Sequence, residues 1–275
     1  MKPKIIVVCG PTATGKSDKA VEIALEKNGE IISADSRQVY KDLDIGSGKI
    51  TQEEMKDVPH YLIDVADPKK IFSIDDFIKQ GKKAIKEILN EGKIPIICGG
   101  TGFYIDGLIH NIDLPKVPPN EALRKKLESY SLEDLQNKLQ ELDPERFETI
   151  DIQNPIRVIR AIEIATELGK VPVLERNSPY EIEWVYLDFP DEILKERIYK
   201  RLITRLKNGM LDEAKRLYEQ GVSYERMKQL GLEYRYQAMH LLGEITHEEM
   251  IEQLNTKIWQ FAKRQRTWFK KYMKI

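Results

Sequence analysis

A six-residue apolar run, Lys4–Cys9 (KIIVVC), leads straight into Gly10-Pro11-Thr12-Ala13-Thr14-Gly15-Lys16-Ser17, and a helix-like stretch, Ser17–Lys27, follows at once. This is a complete G-x-x-x-x-G-K-[ST] loop in the setting its mechanism demands. Its glycines let successive backbone N–H groups converge on a phosphate group. The helix N-terminus adds positive potential, Lys16 neutralises further charge, and the Ser17 hydroxyl can ligate Mg²⁺. All eight loop residues are candidate phosphate-binding residues, and Ser17 is a candidate metal ligand. The loop also restricts the fold, because a strand and a helix must flank it at the carboxyl edge of a parallel sheet.

The rest of the chain keeps that rhythm. Apolar runs at Glu30–Ala34, His60–Val65 and Ile94–Cys98 alternate with helical patterns such as Ile74–Asn90, as in a parallel sheet covered by helices. From Leu114 the texture changes to the proline-rich LPKVPPN and then to helical segments: Asn120–Tyr130, Leu132–Leu142, DPERFETI and DIQNPIRVIRAIEIATELGK. After a second break near Asn177–Pro179, Ile182–Asp188 again reads as a core strand, so the helical block is expected to interrupt the sheet domain. The expected architecture is α/β: a P-loop parallel sheet built from residues 1–112 and 181–275, with an all-helical insertion over 113–180. Long helices over Asp191–Gln220 and Thr246–Met273 complete it, with Gly221 and Gly243 as stops.

Bulk charge makes no case for nucleic acid, since 44 Lys and Arg nearly balance 45 Asp and Glu. Any basic surface must come from local segregation. Cys9 and Cys98 both end apolar runs and are expected as buried strand ends in a reducing cytosol rather than as a disulfide. A secretory pattern and an apolar run near the ~18 residues of a membrane span are both missing, which predicts a cytoplasmic protein. The four histidines show no ligand spacing, so no metal beyond Mg²⁺ is expected.

Three further constellations bear on chemistry. The second strand delivers Asp35, in ISADSRQVY, to the sheet edge that carries the loop. It can serve as a general base or acceptor for an incoming nucleophile, as a Mg²⁺-shell carboxylate, or as a helix N-cap. Gly99-Gly100-Thr101-Gly102-Phe103-Tyr104 reaches the same edge and can either meet a base or pack its aromatics, Phe103 above all, in the core. Near the C-terminus, Lys257–Lys274 carries seven basic residues and no acidic one, with Trp259, Phe261, Trp268 and Phe269 interleaved. Lys263, Arg264 and Arg266 are candidate RNA-phosphate contacts in that stretch, although a basic helix is often only a solvated face.

The wording GPTATGKS, DSRQVYKDLDIGSGK, PHYLID, IPIICGGTGFYIDGL, QNPIRVIRAIE, RLITRLKNGMLDEAKRL and AKRQRTWF, in that order over nearly the whole chain, resembles the tRNA dimethylallyltransferases. The resemblance implies transfer of a dimethylallyl group from its diphosphate to N6 of the adenine at position 37 of tRNA, with Mg²⁺ as cofactor, and we expect a monomer. It implies that Asp35 is the general base and that Thr12, Lys16, Ser17 and Arg201 bind the diphosphate, which puts Asp35, Lys16 and Arg201 in the catalytic set. Asp35, Ser36, Arg37, Gln38, Thr101, Arg124, Gln153, Asn154, Pro155, Ile156 and Arg157 resemble the family's tRNA-contacting segments.

Three stretches depart from the family's wording. Asp-Ile-Gly-Thr-Ala-Lys becomes Asp44-Ile45-Gly46-Ser47-Gly48-Lys49. A tighter Gly-Tyr-basic segment becomes Leu230-Gly231-Leu232-Glu233-Tyr234-Arg235, and a methionine four residues beyond the motif arginine becomes Arg205. The loop alone also fits a small-molecule kinase, prenyl transfer to free adenine nucleotides, or an RNA-binding module with a nucleotide switch. The helical insertion and the basic tail speak against the kinase.

Overall fold

The computed structural model describes residues 2–273, and Lys274, the last of the basic tail, lies outside them. In chain order the elements are β1 (Lys4–Cys9), α1 (Lys16–Lys27), β2 (Gly29–Ser33), α2 (Gln52–Met55), β3 (His60–Tyr61), α3 (Ile74–Asn90), β4 (Ile94–Gly99) and α4 (Gly102–Ile109). Four helices follow, α5 (Glu121–Leu127), α6 (Leu132–Leu142), α7 (Pro144–Thr149) and α8 (Pro155–Leu168). The chain then forms β5 (Glu181–Tyr186), α9 (Asp191–Lys207), α10 (Met210–Glu219), α11 (Tyr224–Met227), α12 (Leu232–Leu241) and α13 (His247–Lys270). Two compact units result, residues 1–112 with 177–275, and residues 113–176.

In the larger unit five strands pair in parallel in the order β3-β2-β4-β1-β5. Ile5 to Cys9 have no exposed surface, as a central strand covered on both faces requires. This is the P-loop α/β class that the alternation of apolar runs predicts. The third strand is shorter than its apolar run: Leu62 and Asp64 take left-handed φ of 62° and 55°, so pairing stops at Tyr61. The helix expected over Asp191–Gln220 is also two elements, because Gly209 turns at φ 91° and divides α9 from α10. Local chemistry sets the other starts: Ser73 with Asp76 and Thr246 with Glu249 form capping boxes at α3 and α13.

The smaller unit is all-helical and has its own core, in which Leu127, Leu135, Leu139, Val158 and Ile162 pack together. Asp143 and Asn154 cap α7 and α8, each with a proline at the first helical position. Glu163 is buried on α8, where the Arg124 fork grips it at 2.8 Å on both oxygens and Arg160 adds a contact at 3.1 Å. Burying a carboxylate is tolerated here because two guanidiniums and the Asn120 N–H satisfy it. No helix among the described residues is long and apolar enough to cross a membrane.

Candidate active site

The loop leaves β1 through Gly10 at φ 143°, where a Cβ would stand 2.0 Å from the Leu187 carbonyl oxygen, so only glycine fits. Ala13 and Gly15 then take left-handed φ of 65° and 82°, which turns the backbone into the start of α1. The Thr14 hydroxyl and the Lys16 ammonium both donate to the Pro11 carbonyl, at 2.9 and 2.6 Å. Burial first, and then the Arg201 charge, push Lys16 down to about 8. A carbonyl dipole is a weak partner for a cation held away from water, so an anion in the loop would stabilise it strongly.

Helix α9 lays three arginines along one face at four-residue spacing. Arg197 donates to the Ala13 carbonyl at 2.7 Å, Arg201 to the Thr12 hydroxyl, and Arg205 to the Gly46 carbonyl at 3.3 Å. Burial and the neighbouring Arg205 push the Arg201 guanidinium down to about 9. It stays charged at neutral pH, in a cluster where cations outnumber carboxylates. The family resemblance points to Arg201 alone of the three. The i, i+4, i+8 spacing of Arg197, Arg201 and Arg205 is the signal that could have found the other two.

These groups line a cleft of about 680 Å³ with Lys16, Ser17, Asp18, Ser33, Asp35 and Gln38. A second cleft of about 430 Å³ is lined by Asp35, Ser36, Arg37, Thr101, Phe103, Phe261, Arg264 and Trp268. Among the residues that the two clefts share are Thr12, Asp35, Arg201, Arg205 and Gln265. Asp35 thus faces the phosphate loop on one side and an aromatic-fringed hollow on the other. Its Oδ1 accepts the Arg37 N–H at 2.8 Å, so the turn after β2 fixes the carboxylate through one oxygen. No helix starts there, which removes the helix-cap reading. The Thr101 hydroxyl accepts the Ser36 N–H at 3.2 Å and ties the β4 turn to this one.

The aromatics divide differently from the core reading. Tyr104 is buried and stacks on Phe77 at 4.1 Å between centroids, whereas Phe103 is 44% exposed and stands edge-on to Trp268. On α13, Lys263 and Arg264 are exposed, but Arg266 grips Asp188 at 2.9 Å and also reaches Asp191, while Lys271, at its C-cap, meets buried Asp106 at 2.6 Å. The expectation of Arg266 on RNA gives way here: its fork clamps α13 to the segment that follows β5. Arg124 likewise faces Glu163 inside the helical unit. Gln153 and the cap residue Asn154 lead into α8 of that unit and Pro155 to Arg157 open it, with Ile156 77% exposed and Arg157 paired to Asp151 at 3.1 Å.

Two supports were not legible beforehand. The Gln265 side chain accepts the Thr12 N–H at 2.8 Å and donates to the Gly100 carbonyl at 3.0 Å, which links the phosphate loop to the β4 turn. Buried Glu213 accepts the N–H groups of Asp44, Ile45 and Gly46 at 3.0, 2.7 and 2.9 Å, and the Tyr234 hydroxyl at 2.7 Å, and so holds the loop that floors the first cleft. For a metal, the Ser17 hydroxyl and the Asp18 and Asp35 carboxylates bring oxygen donors to the first cleft. That sparse oxygen set fits Mg²⁺, which keeps waters and binds through one or two carboxylates and substrate phosphates.

Comparison with known proteins bears directly on this arrangement. The family model described as "IPP transferase" matches residues 38–272. The chain is 44% identical to tRNA dimethylallyltransferase 2 of Treponema denticola, over 99% of this chain and 93% of that one. It is similar to the crystal structure of the full-length tRNA isopentenylpyrophosphate transferase from Bacillus halodurans, with TM-score 0.74, 39% identity and coverage of 98% and 87%. A eukaryotic dimethylallyltransferase seen acting on tRNA aligns with TM-score 0.84 at 28% identity, over 97% of this chain and 70% of that one.

Proposed function

The chain belongs to the tRNA dimethylallyltransferase family and is a tRNA-prenylating enzyme, and we propose that it moves the dimethylallyl group of dimethylallyl diphosphate to N6 of adenine 37. We further propose that it acts as a cytoplasmic monomer. The observation that carries the reading is the sharing of Asp35, Thr12 and Arg201 between the phosphate-loop cleft and the aromatic-fringed one. A donor diphosphate in the first and an extruded base in the second would bring their reacting atoms together at Asp35.

The adenine amine is a poor nucleophile because its lone pair is delocalised into the ring. As the N6–C1 bond forms, Asp35 accepts the amine proton on the oxygen that its turn leaves unused, a contribution of roughly 10²–10⁴-fold. The allylic C–O bond breaks and its electron pair leaves with the diphosphate. The loop residues, Lys16 and Arg201 line that cleft and would stabilise the developing charge there. Ser17 and Asp18 would hold Mg²⁺, which when bound supplies further charge neutralisation. The hollow beside Phe103, Trp268 and Phe261 offers faces on which an unstacked base can recover part of the few kcal/mol lost on leaving its stack. Ser36, Arg37 and Thr101 line it, while Gln38 faces the phosphate-loop cleft.

The test is transfer of label from dimethylallyl diphosphate to an anticodon stem-loop without ATP hydrolysis. Labelled stem-loop is the expected result. ATP consumption with a small acceptor, or efficient modification of free AMP, would overturn it.

A further inference from the structure

Gly48 and Arg205 lie far apart in sequence yet occupy one space. Gly48 has φ +62°, and a Cβ on it would stand 1.5 Å from Arg205 Nη2 and 2.4 Å from Cζ. The guanidinium therefore fills the hollow that the missing side chain leaves. Arg205 is only 15% exposed, and its carboxylate neighbour, Glu233, is 3.8 Å away at 19% exposure. A charge-assisted hydrogen bond of this kind is normally about 2.7–2.9 Å long, so Glu233 neutralises Arg205 weakly. One helical turn earlier Arg201 holds Thr12 of the phosphate loop, and both guanidiniums line the two clefts. Two partly buried cations one helical turn apart, the carboxylate nearer Arg205 standing off at 3.8 Å, call for a multiply charged anion.

We propose that Arg205 is a second guanidinium for the departing diphosphate, working beside Arg201, and that Gly48 is glycine because Arg205 must pass through the space of its side chain. The lowered protonation affinity of Arg201, for which Arg205 is the largest charge contribution, is in keeping with two cations crowded in wait of an anion. A terminal diphosphate can enter so deep a position. A phosphodiester, flanked on both sides by riboses, is poorly shaped for it, so RNA is the lesser candidate. The inference rests on the reading that the loop binds the donor's diphosphate.

Binding of inorganic pyrophosphate to the full chain, without RNA, tests it by calorimetry, with stem-loop affinity measured in parallel. Arg205→Met should weaken pyrophosphate roughly tenfold to a hundredfold, the range of a lost charged hydrogen bond, and change stem-loop affinity far less. Arg205→Lys, which keeps charge in case the methionine variant folds poorly, should lose less. Gly48→Ala should weaken pyrophosphate as Arg205→Met does, because the new methyl expels the guanidinium. The double variant should be no worse than Arg205→Met alone. Wild-type pyrophosphate affinity in Arg205→Met, multiplying losses in the double variant, or a loss confined to the stem-loop would each overturn the proposal. Lys16→Ala separates the two levels: if it too binds pyrophosphate as the wild type does, the loop is not the diphosphate site and the functional reading fails along with this one.

Discussion

Lys16 donates to the Pro11 carbonyl while burial holds its ammonium at about 8. Its ordinary value is higher, so the charged form is the one that burial disfavours, and the proton is lost as pH rises past about 8. Diphosphate affinity of the free enzyme should therefore fall above that pH; titration calorimetry across pH 7 to 10 checks this, and a flat profile would show that Lys16 does not serve the anion. Asp35 makes a different demand. Asp35→Asn keeps shape and turn contacts but cannot take a proton, so single-turnover transfer should slow by about 10²–10⁴-fold with stem-loop affinity retained. Turnover within a few-fold of wild type would remove the base assignment.

Elements bring these residues to one place, and their supports lie outside the motifs. Glu213 on α10 satisfies three consecutive amides of the 44–46 turn, so its loss leaves buried donors unpaired. Glu213→Ala should lower the unfolding free energy by about 3 kcal/mol or more in a urea melt. The value of that carboxylate could not be read from the chain, because a Glu in the first turn of an amphipathic helix is ordinarily a solvated charge. Helix α13 and its C-cap divide likewise: Arg266 and Lys271 are held by Asp188 and Asp106, while Lys263 and Arg264 are exposed. Replacing Lys263 and Arg264 with alanine should reduce the salt slope of RNA binding by roughly 0.7–0.9 for each phosphate that is no longer neutralised. An unchanged slope would leave that face as plain surface.

At the scale of the whole molecule, two units with separate cores predict separable functions. Gln153→Ala with Arg157→Ala, in the helical unit, should raise KM for tRNA and leave pyrophosphate affinity unaltered, the reverse of Lys16→Ala; a shared loss would argue against the division. Much of this design could be read along the chain. The phosphate loop, the alternation of buried runs with amphipathic stretches and the proline-rich breaks depend on neighbours within a dozen residues, and local sterics and burial periodicity act over that range. Asp35 belongs to the same legible set, because a residue just past a parallel strand must emerge at the loop's edge. Other features depended on distant partners. That Arg205 fills the hollow of Gly48, that Gln265 bridges Thr12 to Gly100, and that Arg266 is taken up by Asp188 are contacts between residues from 78 to 253 positions apart. No periodicity encodes such pairs; they exist only once packing has brought α9 and α13 against the loop, and burial then decides which charges are held by protein and which wait for a ligand.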